Sequence, residues 1–306
     1  MMRAPSSAIE HFSCSWVCRK VRAAAFPLRK TPIDAETLSD TYRKSALAIF
    51  LLTAAVLHAE TAPVALHNAL ARTQASAVVL DAVSGKMLAR EGIPRRGTPG
   101  STMKPFVLDY ALQHGLVQPQ TQVYCRRDLH IGGRSVPCTH PADEPVFDAE
   151  NALAESCNTW FAALAQRMPA GDVEQAVAAS ALPHENLRGA GLDQRQLAVL
   201  GLWGSSTSPL ELARAYRALF QRLPQGGVVE RGLQASVERG MANPAATSGL
   251  TILGKTGTAR NPGESWTHGW FAGVVPGRWI VVIYIPKGDG GTAARLAHRF
   301  FEEMAR

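Results

Sequence analysis

Residues 99–106 read PGSTMKPF. A Pro-Gly bend runs into Ser101, Lys104 follows three residues on, and Pro105 comes directly after the lysine. Proline is tolerated in the first turn of a helix, where its missing N–H costs little. The stretch therefore predicts a helix opening at Ser101 and ending at Gly115, a residue suited to the left-handed turn beyond a helix. Positions i and i+3 share a helical face. A small hydroxyl and a long amine thus stand side by side at a helix start, where free backbone N–H groups and the positive dipole end favour developing negative charge.

Working outward, SAVVLDA, VSG and KMLARE (residues 76–91) read as a β-hairpin turning at Ser84-Gly85. Downstream, DAENALAESCNTWFAALAQRM (148–168) is helical on both flanks of Ser156–Asn158, with Asp148 as N-cap. Ser, Cys and Asn are poor mid-helix residues, so a break is expected there. GDVEQAVAASAL (171–182) predicts a further short helix. Ser208, Pro209 and Glu211 form a capping box at the head of another, with Leu212, Ala213, Tyr216, Leu219 and Phe220 on its buried face. The C-terminal third changes period: TILGKTGTAR, HGWFAGVV and RWIVVIYI read as strands, with Pro276-Gly277 turning between the last two, and TAARLAHRFFEEMA closes as a helix. A hairpin, a helical middle and three late strands make an α+β (mixed αβ) fold, an antiparallel sheet flanked by helices.

The 306 residues carry a net charge of +7, of which residues 1–59 supply a surplus of four. No concentrated basic stripe follows residue 60, which argues against nucleic acid as a partner. Arg43-Lys44 precedes an uncharged run from Ala46 to Leu57. As a helix it would reach roughly 18 Å, short of the roughly 30 Å hydrocarbon core. Residues 1–59 are accordingly expected to be a leader with a signal-peptide-like or anchor segment at 45–59, and residues 60–306 a single catalytic domain. That implies export to the periplasm or the outer face of the cytoplasmic membrane. Of five cysteines, Cys125 and Cys138 flank a second hairpin, turning at Gly132-Gly133. In an exported chain they are a candidate disulfide, worth about 3 kcal/mol for a loop of this size. The stretch alone offers too few ligands for zinc, and no metal is expected.

Three short patterns occur in order: Ser101-x-x-Lys104, Ser156-x-Asn158 and Lys255-Thr256-Gly257. The first is common by composition; the three in sequence are not. A serine is a weak nucleophile until a base takes its proton. Lysine serves as that base once its pKa falls from about 10 to near 7, a shift of about 4 kcal/mol. Burial and a second cation such as Lys255 push in that direction. Ser156 and Asn158 share one turn and can address one cleft. Gly257 is expected to let a ligand's backbone come close, and Thr256 and Thr258 share a strand face.

Together with SAVVLDAVSGKMLA, TSPLELARAYRAL and GWFAG, these motifs resemble the penicillin-binding protein and serine β-lactamase superfamily, specifically penicillin-binding transpeptidase domains, over about residues 73–306. CRRDLHIGGRSVPC is similar to a cysteine-flanked hairpin in some members. The resemblance implies serine acyl transfer on peptidoglycan stem peptides ending in D-Ala-D-Ala, with an acyl-enzyme on Ser101. It implies Lys104 as base and Ser156 as proton relay. Asn158 and the segment Lys255, Thr256, Gly257 and Thr258 would bind substrate, and the backbone N–H groups of Ser101 and Thr258 would form the oxyanion hole. It implies β-lactam antibiotics as ligands, no cofactor, and a glycan polymerase or other cell-wall assembly protein as partner. Transpeptidase and carboxypeptidase are not separated at this level, and two alternatives share the fold: a serine β-lactamase, although LPHENLRGAGL, which holds Glu185, does not match the water-positioning loop of such enzymes, and a non-catalytic β-lactam or peptidoglycan sensor. His268-Gly269 departs from the family, many of whose members carry an acidic residue there. With no room ahead of residue 60 for the glycosyltransferase or pedestal domain of larger relatives, an unusually bare transpeptidase domain is expected.

Overall fold

Strand residues that alternate between two apolar faces need a layer of helices on each side, and the chain supplies both. In the structure, a computed structural model, residues 61–141 and 145–306 are described. The expected leader, with its 45–59 segment, lies outside the described residues. A helix over 61–70 (α1) leads to β1 (Ser76–Asp81) and β2 (Met87–Glu91). A 3-10 turn, Gly100–Met103, opens directly into α2 (Lys104–Gln113). Four short strands follow: β3 (Val123–Tyr124), β4 (His130–Ile131), β5 (Arg134–Ser135) and β6 (Val146–Phe147). The helical middle comprises α3 (Ala149–Ala154), α4 (Asn158–Arg167), α5 (Ala170–Ala178), α6 (Leu192–Val199), α7 (Pro209–Arg222) and α8 (Val228–Glu238). Then come β7 (Leu253–Ala259), β8 (His268–Val275), β9 (Trp279–Ile285) and α9 (Gly290–Ala305). No helix among the described residues is long and apolar enough to cross a membrane.

The main sheet has the order β2-β1-β9-β8-β7 and is antiparallel throughout. Val78, Leu80, Ile280, Val282 and Trp270 face one core, shared with α2, α4 and α7. Ala77, Val79, Val281, Ile283 and Phe271 face the other, shared with α1 and α9. The period-2 alternation thus feeds two cores, which is why β8 is buried along its whole length. This is the antiparallel, helix-flanked α+β arrangement that the pattern predicts.

Both expected hairpins form, as does the break between α3 and α4, where Ser156 takes a positive φ of 56°. The capping box is in place: Ser208 N donates to Glu211 Oε2 at 2.8 Å and Glu211 N to Ser208 Oγ at 3.4 Å. One boundary differs. The expected helix from Ser101 begins as a 3-10 turn, and Lys104 is the first α-helical residue. Gly100 takes a φ of +56°, and its Gly100 N–H is spent on Gly201 O at 2.8 Å, so the chain enters the helix through a bend pinned from outside.

Candidate active site

The Ser101 turn is held by backbone and buried polar groups on several sides. The Thr98 carbonyl accepts from His268 Nε2 at 2.8 Å and from Trp270 Nε1 at 3.0 Å, both from β8. The Thr102 carbonyl accepts from the Tyr216 hydroxyl of α7 at 3.0 Å, and Thr102 Oγ1 donates to Pro99 O at 2.8 Å. Beneath the turn lies β7, the edge strand. A Cβ on Gly257 would meet Pro99 O at 2.6 Å, and one on Gly100 would meet Thr258 O at 2.9 Å and Thr258 N at 3.1 Å. Gly257 therefore admits not a ligand's backbone but the protein's own Pro99 carbonyl. The backbones of the Ser101 turn and of Thr258 are thereby brought into contact.

Lys104 is fully buried. Its Nζ donates to Asn158 Oδ1 at 2.6 Å and to Ser156 O at 2.7 Å, and lies 3.2 Å from Ser156 Oγ. It also sits 5.1 Å from the centroid of Phe161. Burial lowers its amine to about 8, against an opposing pull from the Cys157 and Cys138 sulfurs. Lys255 is equally buried. Its own burial first, and the Lys104 charge second, hold it well below the ordinary lysine range, with Glu155 opposing. An amine so placed, with its charged form disfavoured, can accept a proton from a neighbouring hydroxyl.

Above this floor opens a cleft of about 500 Å³. Ser101, Ser156, Asn158, Thr256 and Thr258 line it, with Arg134 and Arg260 at the rim. The three sequence motifs are thus brought to one place. Asn158 is more committed than expected: its Oδ1 takes Lys104, and its Nδ2 donates to Pro137 O at 3.0 Å and Val136 O at 3.3 Å, tying the β4–β5 hairpin to the lysine. Thr258 is exposed, and its Oγ1 accepts from Gly290 N at 2.9 Å. Glu185 lines a neighbouring depression of about 860 Å³, not the Ser101 cleft. Cys125 and Cys138 are free thiols rather than the expected bridge. Each sulfur faces another partner: Cys125 lies 3.4 Å from His140 Nε2, and Cys138 3.9 Å from Cys157 Sγ.

Sequence reasoning missed the His268 role. Its motif position was visible as a departure from pattern, but its partner, Thr98, lies 170 residues away in the chain. Burial lowers the His268 pKa, which disfavours the charged ring, and because the Thr98 carbonyl can only accept, Nε2 carries the proton in this contact.

A family model for the penicillin binding protein transpeptidase domain matches residues 75–305. The chain belongs to the penicillin-binding protein transpeptidase family. No curated protein sequence matches it significantly. Its fold is similar to that of the D,D-transpeptidase domain of a peptidoglycan glycosyltransferase from Eggerthella lenta, with a TM-score of 0.69 at 20% identity, covering 80% of each chain. It is similar to Pseudomonas aeruginosa PBP2, with a TM-score of 0.66 at 18% identity over 79% of this chain and 72% of that one. A third likeness is to a chain of a peptidoglycan synthase complex that coordinates polymerization and crosslinking, with a TM-score of 0.67 at 20% identity over 81% of this chain and 61% of that one. At these identities the likeness is one of fold, and a transpeptidase family member is a serine acyltransferase-type enzyme by family.

Proposed function

We propose that this chain is a D,D-transpeptidase that forms an acyl-enzyme on Ser101 with peptidoglycan stem peptides ending in D-Ala-D-Ala. The observation that carries this reading is the buried Lys104. Its pKa is lowered to about 8, and it is bonded to both Ser156 and Asn158 beneath a cleft whose wall contains Ser101. Neutral Lys104 takes the Ser101 proton as the hydroxyl attacks the carbonyl before the terminal D-alanine. Ser156, at 3.2 Å from the same nitrogen, passes a proton to the departing amine. The oxyanion meets the backbone N–H groups of Ser101 and Thr258, whose segments the two glycines bring together; one such donor is worth about 3–4 kcal/mol. The Thr256 and Thr258 hydroxyls receive the terminal carboxylate with Lys255 below them, and the outer edge of β7 accepts the peptide as an added strand. β-Lactams acylate Ser101 as substrate mimics. The reading includes export to the cell envelope and, by analogy with the synthase complex above, work beside a glycan polymerase.

Intact-mass labelling with a fluorescent penicillin tests the nucleophile: one adduct is expected on the wild type and none on Ser101→Ala. Labelling that persists in the variant places the nucleophile elsewhere. Incubation with a D-Ala-D-Ala peptide and an amine acceptor tests the reaction, with release of D-alanine and a crosslinked product expected. Fast, steady hydrolysis of a chromogenic cephalosporin would instead identify a β-lactamase, and the absence of Glu185 from the cleft argues against that outcome.

A further inference from the structure

Cys125, Cys138, His140 and Cys157 are all buried, and their ligand atoms lie within 4.8 Å of one another. Two of the separations are informative. For tetrahedral zinc with Zn–S near 2.3 Å and Zn–N near 2.05 Å, two sulfurs stand about 3.8 Å apart and a sulfur and a nitrogen about 3.5 Å apart. The Cys138–Cys157 sulfurs are 3.9 Å apart, and Cys125 Sγ is 3.4 Å from His140 Nε2. A disulfide would need about 2.05 Å. We propose that these four side chains form a Cys3His zinc site, which fastens the β4–β5 hairpin to the turn between α3 and α4.

The surroundings suit a metal site. His140 Nδ1 is 2.8 Å from Pro141 O, an acceptor, and 3.4 Å from Arg127 Nη1, a donor; the shorter contact favours the proton on Nδ1, which leaves the Nε2 lone pair facing the sulfurs. The ring is set edge-on to Phe147 at 4.7 Å between centroids. Arg127 closes over the same corner, donating to His140 O and Pro141 O at 2.8 Å each. The sulfurs have polar partners of their own. Asn158 N donates to Cys138 at 3.2 Å, the Cys125 thiol donates to Thr159 Oγ1 at 3.5 Å, and the same hydroxyl lies 3.6 Å from Cys138, free to donate to either sulfur once it is a thiolate. Such second contacts orient ligands and stabilise thiolates. Three sulfurs and one imidazole select zinc over hard cations, and four protein ligands leave no open position, which marks a structural rather than a catalytic ion.

The site has a consequence for the cleft. Cys157 lies between Ser156 and Asn158, the two residues that hold Lys104. Fixing its sulfur fixes that turn, including the positive φ of Ser156. These four residues are therefore positioning groups. The site itself does not depend on Ser101 being the nucleophile.

The test uses the full chain with Cys14 and Cys18 changed to serine, which leaves only the three cluster thiols, purified under reductant. About one zinc per chain should survive dialysis by elemental analysis. Replacement with cobalt should give tetrahedral visible bands and a near-ultraviolet thiolate-to-cobalt band, a readout that needs no change at the site. The three thiols should resist alkylation until a chelator is added. His140→Ala and Cys157→Ser should each lower zinc retention at least tenfold, whereas Ser101→Ala should keep the zinc while losing penicillin labelling. Zinc below about a tenth of an equivalent after supplementation would overturn the proposal. So would zinc unchanged in both ligand variants, or a Cys125–Cys138 or Cys138–Cys157 disulfide in peptide mass spectra of unreduced protein.

Discussion

If Lys104 is the base, acylation must follow its titration. Its pKa is about 8 in the fold, against 10.5 for an ordinary lysine. At pH 7 a group titrating near 8 is neutral in about a tenth of molecules, whereas one at 10.5 is neutral in roughly 0.03%, so burial raises the reactive fraction about 300-fold. The assay is the second-order acylation constant of Ser101 with a fluorescent penicillin, measured from pH 6 to 10. The constant should climb about tenfold per pH unit below 8, bend near 8 and be flat by about pH 9. Lys104→Arg, which stays charged throughout, should abolish the reaction at every pH. Stability moves the same way. The folded pKa is depressed, so between about 8 and 10.5 the unfolded chain holds the extra proton, and stability rises with pH across that window by about 3 kcal/mol in all. Below about 8 the full penalty for a charged buried amine is present. The plateau above pH 9 is therefore not cut short by loss of the fold through this group. A rate that is flat between pH 6 and 8, or one still climbing tenfold per unit at pH 10, would refute Lys104 as the base with the titration its burial implies.

Four further outcomes follow from particular contacts. Gly257→Ala places a Cβ 2.6 Å from Pro99 O, so the Ser101 turn must lift from β7; acylation should fall at least tenfold, read in the same penicillin assay. His268→Phe removes one of two donors to Thr98 O and should cost about 1 kcal/mol in chemical denaturation. The double variant with Trp270→Phe orphans that buried carbonyl and should cost more than the sum of the two single changes. Ser208→Ala removes the cap of α7 and should cost about 1 kcal/mol with acylation unchanged.

Much of this architecture was written locally. The Ser208 capping box, the Asp148 cap, the two hairpins and the period-2 strands are each decided by residues within a few positions of one another, and each forms where expected. The three motifs were legible as chemistry for the same reason, although their convergence depended on resemblance and not on spacing. Elements held by distant packing were not legible. α8 carries Gly232 at its centre, a residue that weakens a helix read in isolation. In the fold that glycine is where α3 rests: an added Cβ would meet Leu153 Cδ2 at 3.0 Å and Glu150 O at 3.1 Å. β3 and β6 are two residues each, below the length at which alternation can be seen, and pair Val123 with Phe147 and Tyr124 with Val146 across the intervening loop.

The cysteines show the same division between near and far. Read along the chain, Cys125 and Cys138 form a pair and Cys157 is left over. In space the Cys157 sulfur lies 3.9 Å from that of Cys138, and His140, two residues beyond the pair, faces Cys125. The stretch between the two cysteines offers too few ligands, whereas the fold collects four candidate groups, because the third sulfur arrives through the same α3–α4 break that delivers Ser156 and Asn158 to Lys104. A turn that must place a hydroxyl and an amide within 3.2 Å of one amine, in a backbone conformation that only glycine adopts freely, needs an anchor outside the cleft. Cys157, buried on the far side of that turn, is the residue in position to supply it.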